Sequence, residues 1–152
     1  MLTSVQFGTH RLEYTYDAKR KLIAITIDGI SYRCELLDTS VFRLLDAEGN
    51  VAVEYQYEDG FVIAVYGRNN NGEMVNYTND KDFIGNLNHV TYNSYYYDEE
   101  TGWYYCGRYY DAVNERFIDG ISAESREKFQ QQAGNIGAID LWRKSVLWDS
   151  CI

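Results

Sequence analysis

Apolar and polar residues alternate along much of residues 3–66, the period-two pattern of strands with one buried face. Arg11-Leu12-Glu13-Tyr14-Thr15-Tyr16 alternates and stops at the polar Asp17-Ala18-Lys19-Arg20. Residues 21–27 then run into Asp28-Gly29, a strong hairpin signal, and residues 30–37 read as the return strand. A second unit begins at Val41-Phe42-Arg43-Leu44-Leu45, turns at Asp46-Ala47-Glu48-Gly49-Asn50 and returns over 51–57. Glu58-Asp59-Gly60 turns again, into 61–66. Residues 67–88 break the pattern. Gly67-Arg68-Asn69-Asn70-Asn71-Gly72 and Asn79-Asp80-Lys81-Asp82 have loop composition, with a short strand predicted at Met74-Val75-Asn76-Tyr77. Mobility or an insertion is expected there.

The densest patterning lies over residues 95–117. Two aromatic runs, Tyr95-Tyr96-Tyr97 and Trp103-Tyr104-Tyr105, flank Asp98-Glu99-Glu100-Thr101-Gly102. Asp98 can accept a backbone N–H across a tight turn, and Gly102 can take the left-handed conformation that closes it. The pattern recurs: Tyr97-Asp98 is echoed by Tyr110-Asp111, Gly102 by Glu115, and Trp103-Tyr104 by Arg116-Phe117. It predicts three strands in a meander joined by two similar turns, with Asp98, Gly102, Asp111 and Asn114 as turn residues.

Beyond Ile118 the period changes. Asp119-Gly120 closes the β region, Ser122 can cap a helix with Glu124 in its first turn, and residues 123–133 are rich in helix formers. Gly134 and Gly137 interrupt, and residues 139–148 place Ile139, Trp142, Val146 and Leu147 on one side of a second helix. The expected organisation is a β domain over 1–120 and a short α-helical tail over 121–152 packed on it. The fold class is mainly β: antiparallel β-hairpin repeats forming a curved sheet, with a short helical C-terminus. Neighbouring hairpins in such an array complete one another's core.

The run Tyr-Tyr-Tyr-Asp-Glu-Glu-Thr-Gly-Trp-Tyr-Tyr, followed by Arg-Tyr-Tyr-Asp and Arg-Phe-Ile, resembles the Rhs repeat-associated core. That core ends the tyrosine–aspartate (YD) repeat region of bacterial Rhs proteins. The earlier Tyr-x-Tyr-Asp with Leu-x-x-Ile, and Asp-Ala-x-Gly-Asn-Val with Glu-Tyr-x-Tyr, resemble YD units as well, so the likeness covers about residues 10–118 with gaps. The family pattern has Asp-Pro after the second tyrosine pair and Gly before Arg-Phe. Here Ala112 and Glu115 stand there and the chain has no proline, so the second turn loses a pre-set φ and a free left-handed residue. Asn114 is the candidate to supply the latter. Rhs proteins wind such sheets into a shell around a C-terminal toxin. The resemblance therefore implies a non-enzymatic structural or encapsulating module of a bacterial polymorphic toxin system, acting through strand-edge or aromatic-face association. The tail after Gly120 falls below the ~40 residues at which domains need extra staples, so no toxin domain is read there. Some family members cut themselves beyond the core at an Asp-Pro-x-Gly aspartate. No Asp-Pro occurs here, so that role passes to no residue, Asp119 included.

Composition narrows the function further. At 152 residues and 45% hydrophobic, the chain is one domain large enough for a core. A formal charge of −9 leaves no basic stripe for phosphates, so nucleic acid is not an expected partner. No apolar run approaches the ~18 residues of a membrane span, and the N-terminus lacks a signal-peptide pattern. A cytoplasmic location is expected unless a specialised system exports the chain. Cys34, Cys106 and Cys151 are odd in number and widely spaced, and read as buried or incidental thiols. His10 and His89 have no metal-ligand spacing, so no metal or cofactor is expected. A Cys106–His89 pair reads as incidental, and no enzyme is expected. Asp98, Glu99, Glu100, Asp111, Glu115 and Asp119 read as turn chemistry and solvated charge.

Aromatics at 16%, with 15 tyrosines, are the outlying figure. Most suit core positions and cross-strand pairs. The sharper alternative is a stacking platform, with Tyr95, Tyr97, Trp103, Tyr105 and Tyr109 as candidate binding residues for a protein partner or a cell-surface glycan. Gly102-Trp103-Tyr104-Tyr105 also resembles the aromatic hairpins of cell-wall-binding repeats. Self-association through open sheet edges is expected at the strand around residues 5–16 and at 116–118. Trp142 and Trp148 of the tail are candidates to cover one edge.

Overall fold

The computed structural model describes residues 2–99, 101–105, 109–117 and 147–148. Eight strands follow one another as hairpins: β1 (Leu2–Phe7), β2 (His10–Tyr16), β3 (Leu22–Ile27), β4 (Ile30–Leu37), β5 (Ser40–Leu45), β6 (Val51–Glu58), β7 (Phe61–Arg68) and β8 (Met74–Asn76). A one-turn helix α1 (Ile84–Leu87) and a 3-10 turn (Tyr92–Ser94) lead to β9 (Tyr96–Asp98), β10 (Trp103–Tyr105), β11 (Tyr109–Asp111) and β12 (Arg116–Phe117). The last described strand is β13 (Leu147–Trp148). One sheet runs in the order β13-β1-β2-β3-β4-β5-β6-β7-β8 and a second in the order β12-β11-β10-β9; every pairing is antiparallel.

The strands form where the alternation places them. In β2, Leu12 and Tyr14 are buried while Arg11, Glu13 and Thr15 face solvent. What sets the register is turn chemistry, and three of the turns are copies of one design. At Asp17, Asp46 and Asn69, Oδ1 accepts the N–H groups two and four residues ahead at 2.8–3.0 Å. The backbone N–H of the same residue donates to the carbonyl four residues on, at 2.9 Å each time. The fourth residue is left-handed in all three: Arg20 (φ 65°), Gly49 (φ 83°) and Gly72 (φ 79°). At Asp28-Gly29 and Asp59-Gly60 both central residues have positive φ, the twist-matched two-residue hairpin.

Ile23, Phe42, Ala52 and Ile63, like Thr3 in β1, are skipped in the pairing of their strands with a neighbour. Each such bulge bends its strand and adds right-handed twist. They recur over β3, β5, β6 and β7 of the large sheet, one face of which turns inward. That face carries Leu12, Ile25, Leu44, Val53 and Val65, and Val90, Tyr96, Tyr105 and Tyr109 from the second half of the molecule close the same core. The segment between the sheets is fastened to the β4–β5 turn. Ser40 Oγ accepts the Asn93 N–H at 3.0 Å, Ser94 Oγ donates to the Thr39 carbonyl at 2.7 Å, and the Val41 N–H donates to Thr91 O at 3.0 Å.

The structure changes the sequence reading at several points. The expected strand around 5–16 is a hairpin, β1 and β2, folded at Gly8-Thr9 with Gly8 at φ 57°. The meander has four strands where three were expected, because the stretch between the two predicted turns supplies two antiparallel strands, β10 and β11, and not one. Residues 67–88 hold β8 and also α1, which seats the buried Leu87 and Gly85. Of the tail, only Leu147 and Trp148 are described. They form a strand where a helix was expected, since the outer N–H and C=O groups of β1 offer a ladder that β13 completes. The remaining helix predictions, together with Asp119 and Gly120, lie outside the described residues.

Candidate functional site

The pleat of β9–β12 divides the aromatic residues into two rows. Tyr97, Tyr104 and Tyr110 are cross-strand partners on one face, and Tyr96, Tyr105 and Tyr109 on the other. The second row turns inward against the large sheet. Tyr105 is 8% exposed and Tyr109 3%, so these two are core residues and not part of a platform. Trp103 shares their face, half-buried, with its ring edge-on to Tyr109 at 5.7 Å. Of the candidate binding residues, Tyr95 and Tyr97 stand on the other side.

That other side is a pavement of rings centred on Tyr104. Tyr104 is 1% exposed, and its hydroxyl donates to the Gly60 carbonyl at 2.7 Å. Around it stand Tyr97 (5.1 Å between centroids), Tyr92 (5.3 Å) and Phe61 (6.1 Å). Tyr110 extends the set, 6.2 Å from Tyr92 and 6.0 Å from Tyr95. Phe61, Tyr92 and Tyr110 were missed as members. The period of two already placed Tyr110 with Tyr97; nothing local in the sequence brings Phe61 or Tyr92 there.

The two turns of the meander are the equivalent loops that the repeat predicts, each spanning four residues between paired positions, Asp98 with Trp103 and Asp111 with Arg116. Gly102 is left-handed (φ 73°) and its N–H donates to Asp98 O at 2.8 Å. In the second turn Asp111 Oδ2 accepts Asn114 Nδ2 at 2.7 Å, and Oδ1 accepts the N–H groups of Val113 at 3.0 Å and Asn114 at 3.3 Å. The Asn114 side chain, and then these N–H groups, hold the Asp111 carboxyl below the usual aspartate range. The left-handed residue is Glu115 (φ 51°), not Asn114, because Glu115 occupies the closing position that Gly102 fills in the first turn. Opposite substitutions should therefore have opposite signs. Gly102→Val is expected to destabilise by about 1–3 kcal/mol. Glu115→Gly is expected to stabilise by about 1 kcal/mol, the cost of a left-handed L-residue less the added unfolded-state entropy. Melting curves of the two variants check both signs.

Beside the pavement lies a cleft of about 520 Å³, between β6 and β7 on one side and the residues around 78–99 on the other. Its floor is built on Asn88, 3% exposed. Asn88 Oδ1 accepts from the Tyr14 hydroxyl at 3.3 Å and the Val90 N–H at 3.0 Å. Its Nδ2 donates to the Tyr55 hydroxyl oxygen at 3.1 Å and the Val90 carbonyl at 2.9 Å. The Tyr55 hydroxyl itself donates to Gly85 O at 2.7 Å. Burial pushes the Tyr14 and Tyr55 hydroxyls well above their ordinary pKa. At the mouth stand Asn79, Asp80, Lys81 and Tyr97, with His89 Nε2 3.5 Å from Glu99 Oε1.

The groups gathered at the cleft are carboxylates, an ammonium, amides and aromatic rings. Among the described residues no group of three or more His, Cys, Asp and Glu side chains is placed to hold a metal ion. Cys34 is a reduced cysteine whose thiol burial pushes up to about 12, so it is no nucleophile at neutral pH. Cys106, the conceivable partner of His89, lies outside the described residues. No helix among the described residues is long and apolar enough to cross a membrane. Compared with known proteins, the chain matches no family model and no curated protein.

Proposed function

We propose that this chain is a non-enzymatic structural module of the Rhs-repeat kind, belonging to a bacterial polymorphic toxin system and working by association with a second copy or a protein partner. The observation that carries the reading is the wiring of the large sheet. Strands β1 to β8 lie in chain order, each hairpin setting its own register, as in an array that lengthens by adding hairpins. The described ladder ends in β13 on one side and in β8 on the other, and the end proposed to take a further strand is β8. It is three residues long and its only strand neighbour among the described residues is β7. Its Met74 is 44% exposed. An added strand there would pair by β-augmentation.

Sedimentation at micromolar concentration tests this. The chain is expected to run heavier than its 17.7 kDa monomer. Met74→Lys, which adds an edge-blocking charge at an exposed position, is expected to shift it toward that mass. A wild-type chain that stays monomeric as concentration rises, with no partner captured through β8, overturns the reading.

A further inference from the structure

We infer that the cleft bounded by Tyr97, His89 and Glu99 is a binding site for a neutral saccharide of one or two rings. This goes beyond association through the sheet: of the residues the sequence offered for a glycan it keeps Tyr97 and moves the ligand into the cleft beside it. Two candidate ligand classes fit the cleft poorly. An ion is disfavoured: Asp80 and Glu99 outnumber Lys81 at the mouth against an anion, and among the described residues no group of three or more His, Cys, Asp and Glu is placed to hold a metal cation. A wholly apolar molecule is disfavoured because the mouth is lined by carboxylates, an ammonium and the Asn79 amide.

A polyhydroxylated ring answers both objections. Each hydroxyl donates one hydrogen bond and accepts others, so it pairs with carboxylate, amide and ammonium alike. Its flatter C–H face packs on an aromatic ring, and Tyr97 and His89, both half-buried, line the cleft. Tyr97 is held by its ring contacts with Tyr104 (5.1 Å) and Phe61 (6.1 Å), which fix the ring before a ligand arrives. At the floor, both polar atoms of the Asn88 side chain are occupied by partners within the fold. Recognition falls on the mouth. A volume of about 520 Å³ is within the range of small-ligand clefts.

The probes are N-acetylglucosamine, galactose and glucose, with chitobiose, lactose and cellobiose as their two-ring counterparts, titrated to millimolar concentration while backbone amide shifts are followed. At least one probe is expected to give saturable shifts confined to residues around the cleft. Glu99→Gln and Lys81→Ala alter exposed side chains and are each expected to weaken that binding several-fold with an unchanged melting temperature. Tyr97→Leu is expected to abolish it; if that variant melts early, the two mouth variants decide. The inference is overturned if no probe shifts the cleft residues, if the shifts ignore both mouth substitutions, or if sodium acetate or lysine amide binds more tightly than every sugar. Sedimentation and amide titration are separate readouts, so failure of this site and failure of the association reading are told apart.

Discussion

Asn88→Ala is expected to lower the unfolding free energy by about 3–5 kcal/mol, a large share of what a domain this size commands. The side chain is 3% exposed and makes four hydrogen bonds, to Tyr14, to Tyr55 and to both polar groups of Val90. Alanine leaves the Tyr14 hydroxyl and both polar groups of Val90 without these partners inside the fold, and each buried orphan costs about 1–3 kcal/mol. A small cavity adds to that. Tyr55→Phe removes one hydroxyl that serves Gly85 O and Asn88 Nδ2, and its cost should be nearer 1–2 kcal/mol. Urea unfolding measures both. A loss under about 1 kcal/mol for Asn88→Ala would show that the network is not what joins the cleft segment to the sheet.

The second large effect is alkaline. Tyr14, Tyr55 and Tyr104 are at most 5% exposed, and burial raises the pKa of each hydroxyl above its ordinary value near 10. The folded state holds these groups neutral while the unfolded chain releases their protons. Their contribution is complete below the unfolded pKa of about 10 and is lost as pH rises beyond it. Each withheld ionisation costs about 1.4 kcal/mol per pH unit, so three give a slope of ~4 kcal/mol per pH unit above pH ~11. Tyrosinate absorbance should rise first from the exposed rings and then in one cooperative step together with loss of the sheet signal. A smooth titration of all tyrosines with the sheet intact would contradict the assignment of these three to the interior.

These two predictions rest on residues with very different visibility in the sequence. Strands β2 to β7 were legible because alternation and turn residues agree: Leu12 and Tyr14 point inward as their spacing requires, and Asp28-Gly29 folds as such pairs do. Gly102 was legible for the same reason. Asn88 was not. In Gly85-Asn86-Leu87-Asn88-His89 it looks like one polar residue of a loop, and only the fold brings it against Tyr14 and Tyr55. Gly85 was hidden as well. A Cβ there would meet Val53 Cγ1 at 2.7 Å and Val65 Cγ1 at 2.8 Å, a close approach set wholly by packing. The error at Asn114 has a local cause. Asparagine tolerates the left-handed region best, but its position in the turn gave its amide a carboxylate to bind, and the strained position fell to Glu115. The burial of Tyr105 and Tyr109 was not legible, because composition shows that a strand is aromatic without showing which face the neighbouring sheet will take.

The copied turns at Asp17, Asp46 and Asn69 bear on the order in which the chain acquires its structure during synthesis. Each closes with bonds among five consecutive residues, so hairpins can form one after another as they leave the ribosome, without waiting for distant segments. The inner face of the resulting ladder has no such independence. Leu12, Ile25, Leu44 and Val53 are covered by Val90, Tyr96, Tyr105 and Tyr109, all of which come later in the chain. At ~5–20 residues per second, a nascent ladder would stand for several seconds with its apolar side uncovered. The meander is therefore a late-arriving lid, and a ribosome stalled between Arg68 and Val90 would release a sticky half-sheet in place of a folded protein.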